Sequence, residues 1–510
     1  MAIIKTQHDS KVQHDNKMQH NFKLFLILFC RYVSPAMLAA GGVLFITVLA
    51  LFVPPYIGMA DNGDYFRILY SNGLYFNTPD YDSQYLGYFI KEYGIFQYYN
   101  ENGATLSSSQ SLFIRLSVWI NALFNPQVFD IRVQTAIFTA LYTIAVYLLI
   151  ESLTWKMPVK YGYPIALIAI FIFADTAYTA FLNSFFSESI VMIMLMLLFA
   201  SGLLLYRNRY NDYVLIAVFF VSGLLLTTSK QQNAPVGIII AVTCVLFIFI
   251  RKERTFRIWM ASALVGLLLA GIGTYVLIPK EFVNINKYHA MTRGVLMESD
   301  NPEATLEAFG IDKQYAVLNK SIYYEPYTTV DVDSDILENT FYNKYGFVSI
   351  LFYYITHPDQ AFKMLDLAAK HAFTIRPPAM GNYEKSEGKP FGAQTSFFST
   401  YSKIKHALAP KTFGFVVIWT ILVVGLYVPS FLEAVKARNM RHMLRLSLMV
   451  SMILMGLSGI FVSIVGAGDA DLSKHEFLFT AVFDVVTFAT VADAIGHRLW
   501  RNEIELTATD

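Results

Sequence analysis

Apolar runs recur ten times along the chain, near residues 34–53, 131–150, 162–180, 188–206, 213–227, 234–250, 257–278, 413–432, 443–465 and 476–495. A helix rising about 1.5 Å per residue crosses about 30 Å of hydrocarbon in about 20 residues, and most of these runs are long enough. The fifth is short. Lysine and arginine placement tests the count, because cytoplasmic connections retain positive charge. Basic residues follow every second run: Lys156 and Lys160, Arg207 and Arg209, then Arg251, Lys252, Arg254 and Arg257. Lys436, Arg438, Arg441 and Arg445 continue the series, and Arg498 and Arg501 close it. The intervening short connections carry at most one, Lys230 or Lys474. The alternation predicts an all-α polytopic protein of about ten transmembrane helices with both termini cytoplasmic. The first helix is expected to be retained, since no small-residue cleavage site adjoins it.

Two polar connections are long, and both fall on the extracytoplasmic side by parity. Residues 54–130 form the first, in which the apolar stretch 111–124, interrupted by Arg115, reads as an interfacial helix. Residues 279–412 form an outer lobe. After His357-Pro358 it places Phe362, Leu365, Ala369 and Phe373 on one helical face and Lys363, Asp366 and Lys370 opposite. The chain thus divides into a tail (1–33), seven spans (34–278) containing the loop 54–130, the lobe (279–412), three spans (413–495) and a second tail (496–510). The first tail repeats QHDSKV, QHDNKM and QHNFKL. His8, His14 and His20 there offer weak chelation at most, and a disordered segment explains them better.

Composition agrees with a bilayer solvent: 55% of residues are hydrophobic and 15% charged. A net charge of +1 excludes a generally basic nucleic-acid binder. Two cysteines, Cys30 and Cys244, make no disulfide framework.

Candidate chemistry gathers at the extracytoplasmic ends of the spans. Asp61 and Asp64 open the first loop, three residues apart, on one face if a helix starts there. They serve equally as N-cap and N3 of a capping-box variant or as a general base with a partner that holds a divalent ion. Asp175 lies near the end of the third run and Glu188 opens the fourth. Carboxylates in lipid commonly face a cavity, although a helix N-terminus alone also favours Glu188. Cations accompany them: Lys230, Arg376, Lys474, and Arg293 with His289. His475 stands beside Lys474. Singly, each fits a snorkelling or solvated side chain; together they suit an anion such as phosphate. Tyr85, Tyr88, Phe89, Tyr93, Phe96, Tyr98 and Tyr99 suit the membrane interface, with sugar stacking as the alternative.

The segments 60–67 (Ala-Asp-Asn-Gly-Asp-Tyr-Phe-Arg), Phe181 to Glu188, and Ser229-Lys230-Gln231 resemble GT-C glycosyltransferases, more closely the WsfD-like hexose transferases of bacterial surface-glycan biosynthesis. Tyr288-His289 with Gly294-Val295-Leu296, Arg376 with Gly381-Asn382-Tyr383, and Gly468-Asp469 with Lys474-His475 carry the same resemblance. It implies a GT-C-like fold and a hexosyltransferase, inverting, in the plasma membrane. The donor would be a polyprenyl-phosphate sugar and the acceptor a cell-surface glycan or lipid-linked glycan. Asp61 or Asp64 would act as base, while Lys230, Arg376, Lys474 and His475 would hold the donor phosphate. Glu188, Asp175 and His289 would bind the acceptor or a metal, with Asp64 and Glu188 as the ligands of any Mg or Mn ion. The first motif is Asp-Asn-Gly-Asp, not a compact Asp-x-Asp, which leaves metal use open. The residues also admit a transporter or flippase of lipid-linked glycans, with Asp175 and Asp484 on its pathway, or a polymerase of such glycans.

Overall fold

The computed structural model of the chain describes residues 31–98, 108–325 and 327–499. The histidine repeats, Cys30 and Tyr99 lie outside the described residues. Helix α1 (Pro35–Phe52) starts where Ser34 Oγ accepts from the Met37 amide at 3.2 Å and Pro35 presets the first turn. A short helix α2 (Tyr65–Ser71) and the interfacial helix α3 (Gln110–Ala122) follow in the first long connection. Then come α4 (Arg132–Thr154), α5 (Val159–Phe173), α6 (Glu188–Arg207), α7 (Asp212–Thr227), α8 (Ala234–Thr243) and α9 (Arg254–Val276). The lobe contributes α10 (Lys280–Ala290), α11 (Phe347–Thr356), α12 (Pro358–His371) and α13 (Thr400–Leu408). The chain returns through α14 (Phe413–Lys436), α15 (Met440–Ala467) and α16 (Phe477–Ile495).

Among the described residues eight helices are long and apolar enough to cross a membrane, or nine if one bent pair counts as a span. Two of the ten expected spans differ. The third does not run unbroken: α5 ends at Phe173, and the chain bends by 51° into Thr176–Asn183. Asp175 causes the break, its carboxylate accepting from the Ala177 amide at 2.8 Å to cap a new turn. The fifth, α7, has 16 residues and reaches about 24 Å, short of the hydrocarbon thickness.

Helix α6 is apolar all round and every residue from Glu188 to Arg207 is buried, which requires a central position. It packs against α4, α7, α15 and α16. Helix α14 instead exposes Ile418, Ile421 and Leu422, a lipid-facing side. Helices α8 and α9 meet backbone to backbone. A Cβ on Gly237 would sit 2.2 Å from the Leu267 carbonyl oxygen, the close approach that small residues allow in membranes. Gly237→Ala is expected to force the pair apart at a cost of roughly 1–3 kcal/mol, seen as a lower unfolding midpoint in detergent. An unchanged midpoint would show that the contact is not close in the folded protein.

The first long connection is not purely helical. A small antiparallel sheet forms from β1 (Leu74–Tyr75), β2 (Glu92–Ile95) and β3 (Val128–Asp130), with Tyr93 opposite Phe129. The lobe is stitched to the segment after α1: Gly58 N donates to Asn382 O, Ala60 N to Gly381 O (both 3.0 Å), and Phe89 N to Tyr383 O at 2.9 Å. Its last helix is anchored in the bundle. Lys405 of α13 pairs with Asp484 of α16 at 2.6 Å, and the Tyr178 hydroxyl donates to the other Asp484 oxygen at 2.5 Å. The two charged side chains are 4% and 0% exposed. At the opposite end of the bundle arginines converge on acids: Arg207 and Arg445 on Asp493, Arg251 and Arg441 on Asp212.

Candidate active site

Asp61 shapes the turn that starts α2. Its Oδ1 accepts from the amides of Gly63 (2.9 Å) and Tyr65 (3.0 Å), and its Oδ2 from the Tyr81 hydroxyl (2.5 Å). Burial raises its pKa, and the Tyr81, Tyr65 and Gly63 hydrogen bonds oppose that rise. The helix therefore begins at Tyr65, so the expected shared helical face of Asp61 and Asp64 does not form. Asp64 occupies the N-cap position but makes no capping bond. Its carboxylate pairs with the Lys474 ammonium instead.

Asp64 lines a cavity of about 530 Å³, and Asp61 does not. The walls come from α2, the segment 185–188 leading into α6, the 229–232 turn between α7 and α8, helix α10, and the 467–475 turn before α16. Three ion pairs stand in or beside it. Lys474 Nζ holds Asp64, lies 3.3 Å from Asn62 Oδ1 and sits 4.4 Å above the Phe186 ring. Lys230 pairs with Glu188 at 2.6 Å, and the second Glu188 oxygen is buried with no hydrogen-bond partner. Arg293 grips Asp469 with two bonds, at 2.5 and 2.9 Å. Gly468 makes that grip possible. It has φ +61°, and a Cβ there would lie 2.5 Å from the Arg293 carbonyl carbon and oxygen.

Two charges remain outside these pairs. Asp471 accepts from Asn62 Nδ2 at 2.7 Å, and burial raises its pKa while Lys230 lowers it. Arg67 has no carboxylate partner among the described residues. Its guanidinium lies 4.8 Å from the Phe66 ring centre and 4.7 Å from that of Phe282, and donates to the Tyr324 hydroxyl at 2.5 Å. The cavity lining holds four carboxylates and four cations.

The site's electrostatics are set by exclusion of water. Burial pushes the Lys474 ammonium down to about 7, with Asp61 pulling the other way. His475 is pushed down to about 3 by burial with Lys230 and Lys474 beside it. His289 falls to about 4 through burial and Arg293, and its Nε2 accepts from the Tyr323 amide at 3.0 Å. Both imidazoles are neutral at pH 7, so His475 contributes no positive charge to an anion.

The structure thus brings together Asp64, Glu188, Lys230, His289, Lys474 and His475, and leaves Asp175 and Arg376 elsewhere. Asp175 accepts from the amide and hydroxyl of Ser402 at 2.9 and 2.8 Å, fastening α13 to the break after α5. Arg376 donates to Asn382 Oδ1 at 2.6 Å and steadies the 376–395 segment; burial lowers its pKa to about 10. The site also contains Arg67, Asp471, Asn62 and Tyr324, which the sequence alone does not single out. Arg67 stood in a quoted motif and Asp471 three residues before Lys474, whereas nothing near Tyr324 marks it. Among the described residues no group of three or more His, Cys, Asp or Glu is placed to hold a metal ion. The two proposed ligands, Asp64 and Glu188, are each already neutralised by a lysine, a donor set that does not fit a divalent cation.

No curated protein and no solved structure matches the chain. A family model does, from residue 16 to residue 509. With nearly its whole length matched, this multi-pass membrane protein belongs to the family described as the YfdI N-terminal transmembrane domain.

Proposed function

We propose that the protein is a GT-C-like membrane glycosyltransferase that moves a hexose from a polyprenyl-phosphate donor to a surface glycan or lipid-linked acceptor. The observation that carries this reading is Asp64, held at the start of α2 inside a cavity at one end of an apolar bundle, in contact with Lys474. A lipid-linked donor stays in the bilayer, so its enzyme needs such a polar chamber at headgroup level. The volume suits a small sugar phosphate, within the ~300–1,000 Å³ typical of ligand sites. The arginine-rich opposite end fits a cytoplasmic position on the positive-inside argument, which supports an extracytoplasmic cavity in the plasma membrane. The sequence resemblance to WsfD-like transferases points the same way.

In the reaction, the acceptor hydroxyl oxygen bonds to the anomeric carbon as the bond from that carbon to the phosphate oxygen breaks. Asp64 takes the hydroxyl proton and polyprenyl phosphate leaves, giving inversion. Lys474, Lys230 and Arg67 are the cations available to the phosphate. A donor anion competes with Asp64 for Lys474, which frees the base once the donor is in place. The test uses purified protein in bilayers with a set of polyprenyl-phosphate hexoses, read as acceptor-dependent loss of donor. No consumption of any donor, with lipid-linked glycan crossing the bilayer, would replace this reading by transport.

Donor binding should depend on pH through Lys474. Its folded pKa is lowered to about 7, so the ammonium is present below that pH and lost above it. Affinity should fall between pH 6.5 and 8.5, by up to about tenfold per unit, and Lys474→Arg should flatten the profile. A wild-type affinity constant over that range would remove Lys474 from phosphate binding.

A further inference from the structure

Helix α3 is built inside out. Its buried positions, Gln110, Ile114, Ser117 and Asn121, recur every three or four residues, and three of the four are polar. The opposite face exposes Leu112 (63%), Leu116 (44%), Trp119 (80%) and Leu123 (80%). The buried polar groups are bonded within the protein. Gln110 Nε2 donates to the Phe186 carbonyl at 3.2 Å, Ser117 Oγ to the Phe113 carbonyl at 2.7 Å, and Asn121 Nδ2 to the carbonyls of Asn125 and Val128 at 2.8 Å. Water selects the reverse arrangement. The helix makes sense with its apolar face in the acyl region of a bilayer, continuous with the lipid-facing sides of the spans.

Beside that face runs a groove of about 660 Å³. Arg115 with Ser71, Asn72 and Gly73 lines its polar end, and Leu116, Val118 and Trp119 the rest. Arg115 Nε donates to Asn72 Oδ1 at 3.2 Å and Nη2 to the Ser71 carbonyl at 3.4 Å. No carboxylate pairs with it among the described residues. A fixed guanidinium next to an apolar strip at the membrane surface is the order of a phosphate headgroup and its chain.

We infer that this groove binds an anionic phospholipid of the surrounding bilayer, its phosphate on Arg115 and its chain along Leu116, Val118 and Trp119. The groove shares no lining residue with the cavity. The two are joined by α2, which carries Asp64 at its start and ends at Ser71, on the groove wall. A bound headgroup braces the helix that presents Asp64.

The test measures lipid retention by native mass spectrometry of the full chain exchanged into phosphatidylglycerol or phosphatidylcholine. The wild type should retain one more phosphatidylglycerol, and Arg115→Gln should reduce that retention about fivefold while Arg115→Lys keeps it. Equal retention by wild type and Arg115→Gln would overturn the site. A second measurement needs no arginine variant: tryptophan quenching by brominated-chain lipids, with Trp119→Phe subtracted to isolate Trp119. Stronger quenching by brominated phosphatidylglycerol than by brominated phosphatidylcholine supports the site. Equal quenching by both means only bulk lipid covers the helix, and the inference fails.

Discussion

Asp64→Asn is expected to lower turnover by about 10²–10⁴-fold, the usual contribution of a positioned general base, while donor affinity is kept or improved. The change is nearly isosteric, so α2 and its turn stay in place. It removes the proton acceptor and also takes the paired carboxylate from Lys474, which keeps Asn62 Oδ1 at 3.3 Å and the Phe186 ring at 4.4 Å. Loss should therefore appear in kcat, and in kcat/KM equally where donor affinity is kept or to a smaller extent where it improves. Asp61→Asn is the necessary comparison. Its Oδ1 contacts to Gly63 and Tyr65 survive and only the Tyr81 bond is altered, so activity should stay within tenfold while stability drops by about 1–3 kcal/mol. If the two variants exchange these behaviours, Asp61 is the base and the Lys474 pair is structural.

The largest effect on stability is expected at Lys405→Met. The substitution leaves the wholly buried Asp484 without its cation, with the hydroxyls of Tyr178 and Tyr401 as its remaining partners. Breaking a buried pair from one side costs about 3–5 kcal/mol. Replacing both partners, Lys405→Met with Asp484→Leu, should restore stability to near or above wild type, because desolvation of two ions is then avoided. Unfolding midpoints in one detergent, together with proteolysis of the 400–412 region, read both effects. A single variant within 1 kcal/mol of wild type, or a double variant no better than the single, would refute this account.

The membrane character and the positions of most spans were legible because hydropathy acts over local windows. The two exceptions have particular causes. The fifth run was visibly short, and α7 has 16 residues. The break at Asp175 begins with a local cap on Ala177, but the same carboxylate is held by Ser402, 227 positions away, and no local pattern records that partner. The same limit governs the site. Asp64, Glu188, Lys230 and Lys474 stood out as charges beside apolar runs, but Asp64 and Lys474 are 410 residues apart and their pairing is a product of the bundle. Arg376 and Asp175 carried the same outward signal and turned out to fasten the lobe. The small sheet around Tyr93 was hidden in an aromatic stretch whose residues suit a strand as well as an interface.

Below about pH 7, where Lys474 keeps its charge, the equal number of carboxylates and cations around the cavity, with both histidines neutral, has a kinetic consequence. A chamber whose charges cancel projects almost no field beyond a Debye length of about 8 Å, so soluble anions are not drawn toward it from the aqueous phase. Capture then falls to molecules already confined to the plane of the bilayer, arriving by lateral diffusion. Encounter rates should follow membrane viscosity and chain length, and should hardly respond to ionic strength.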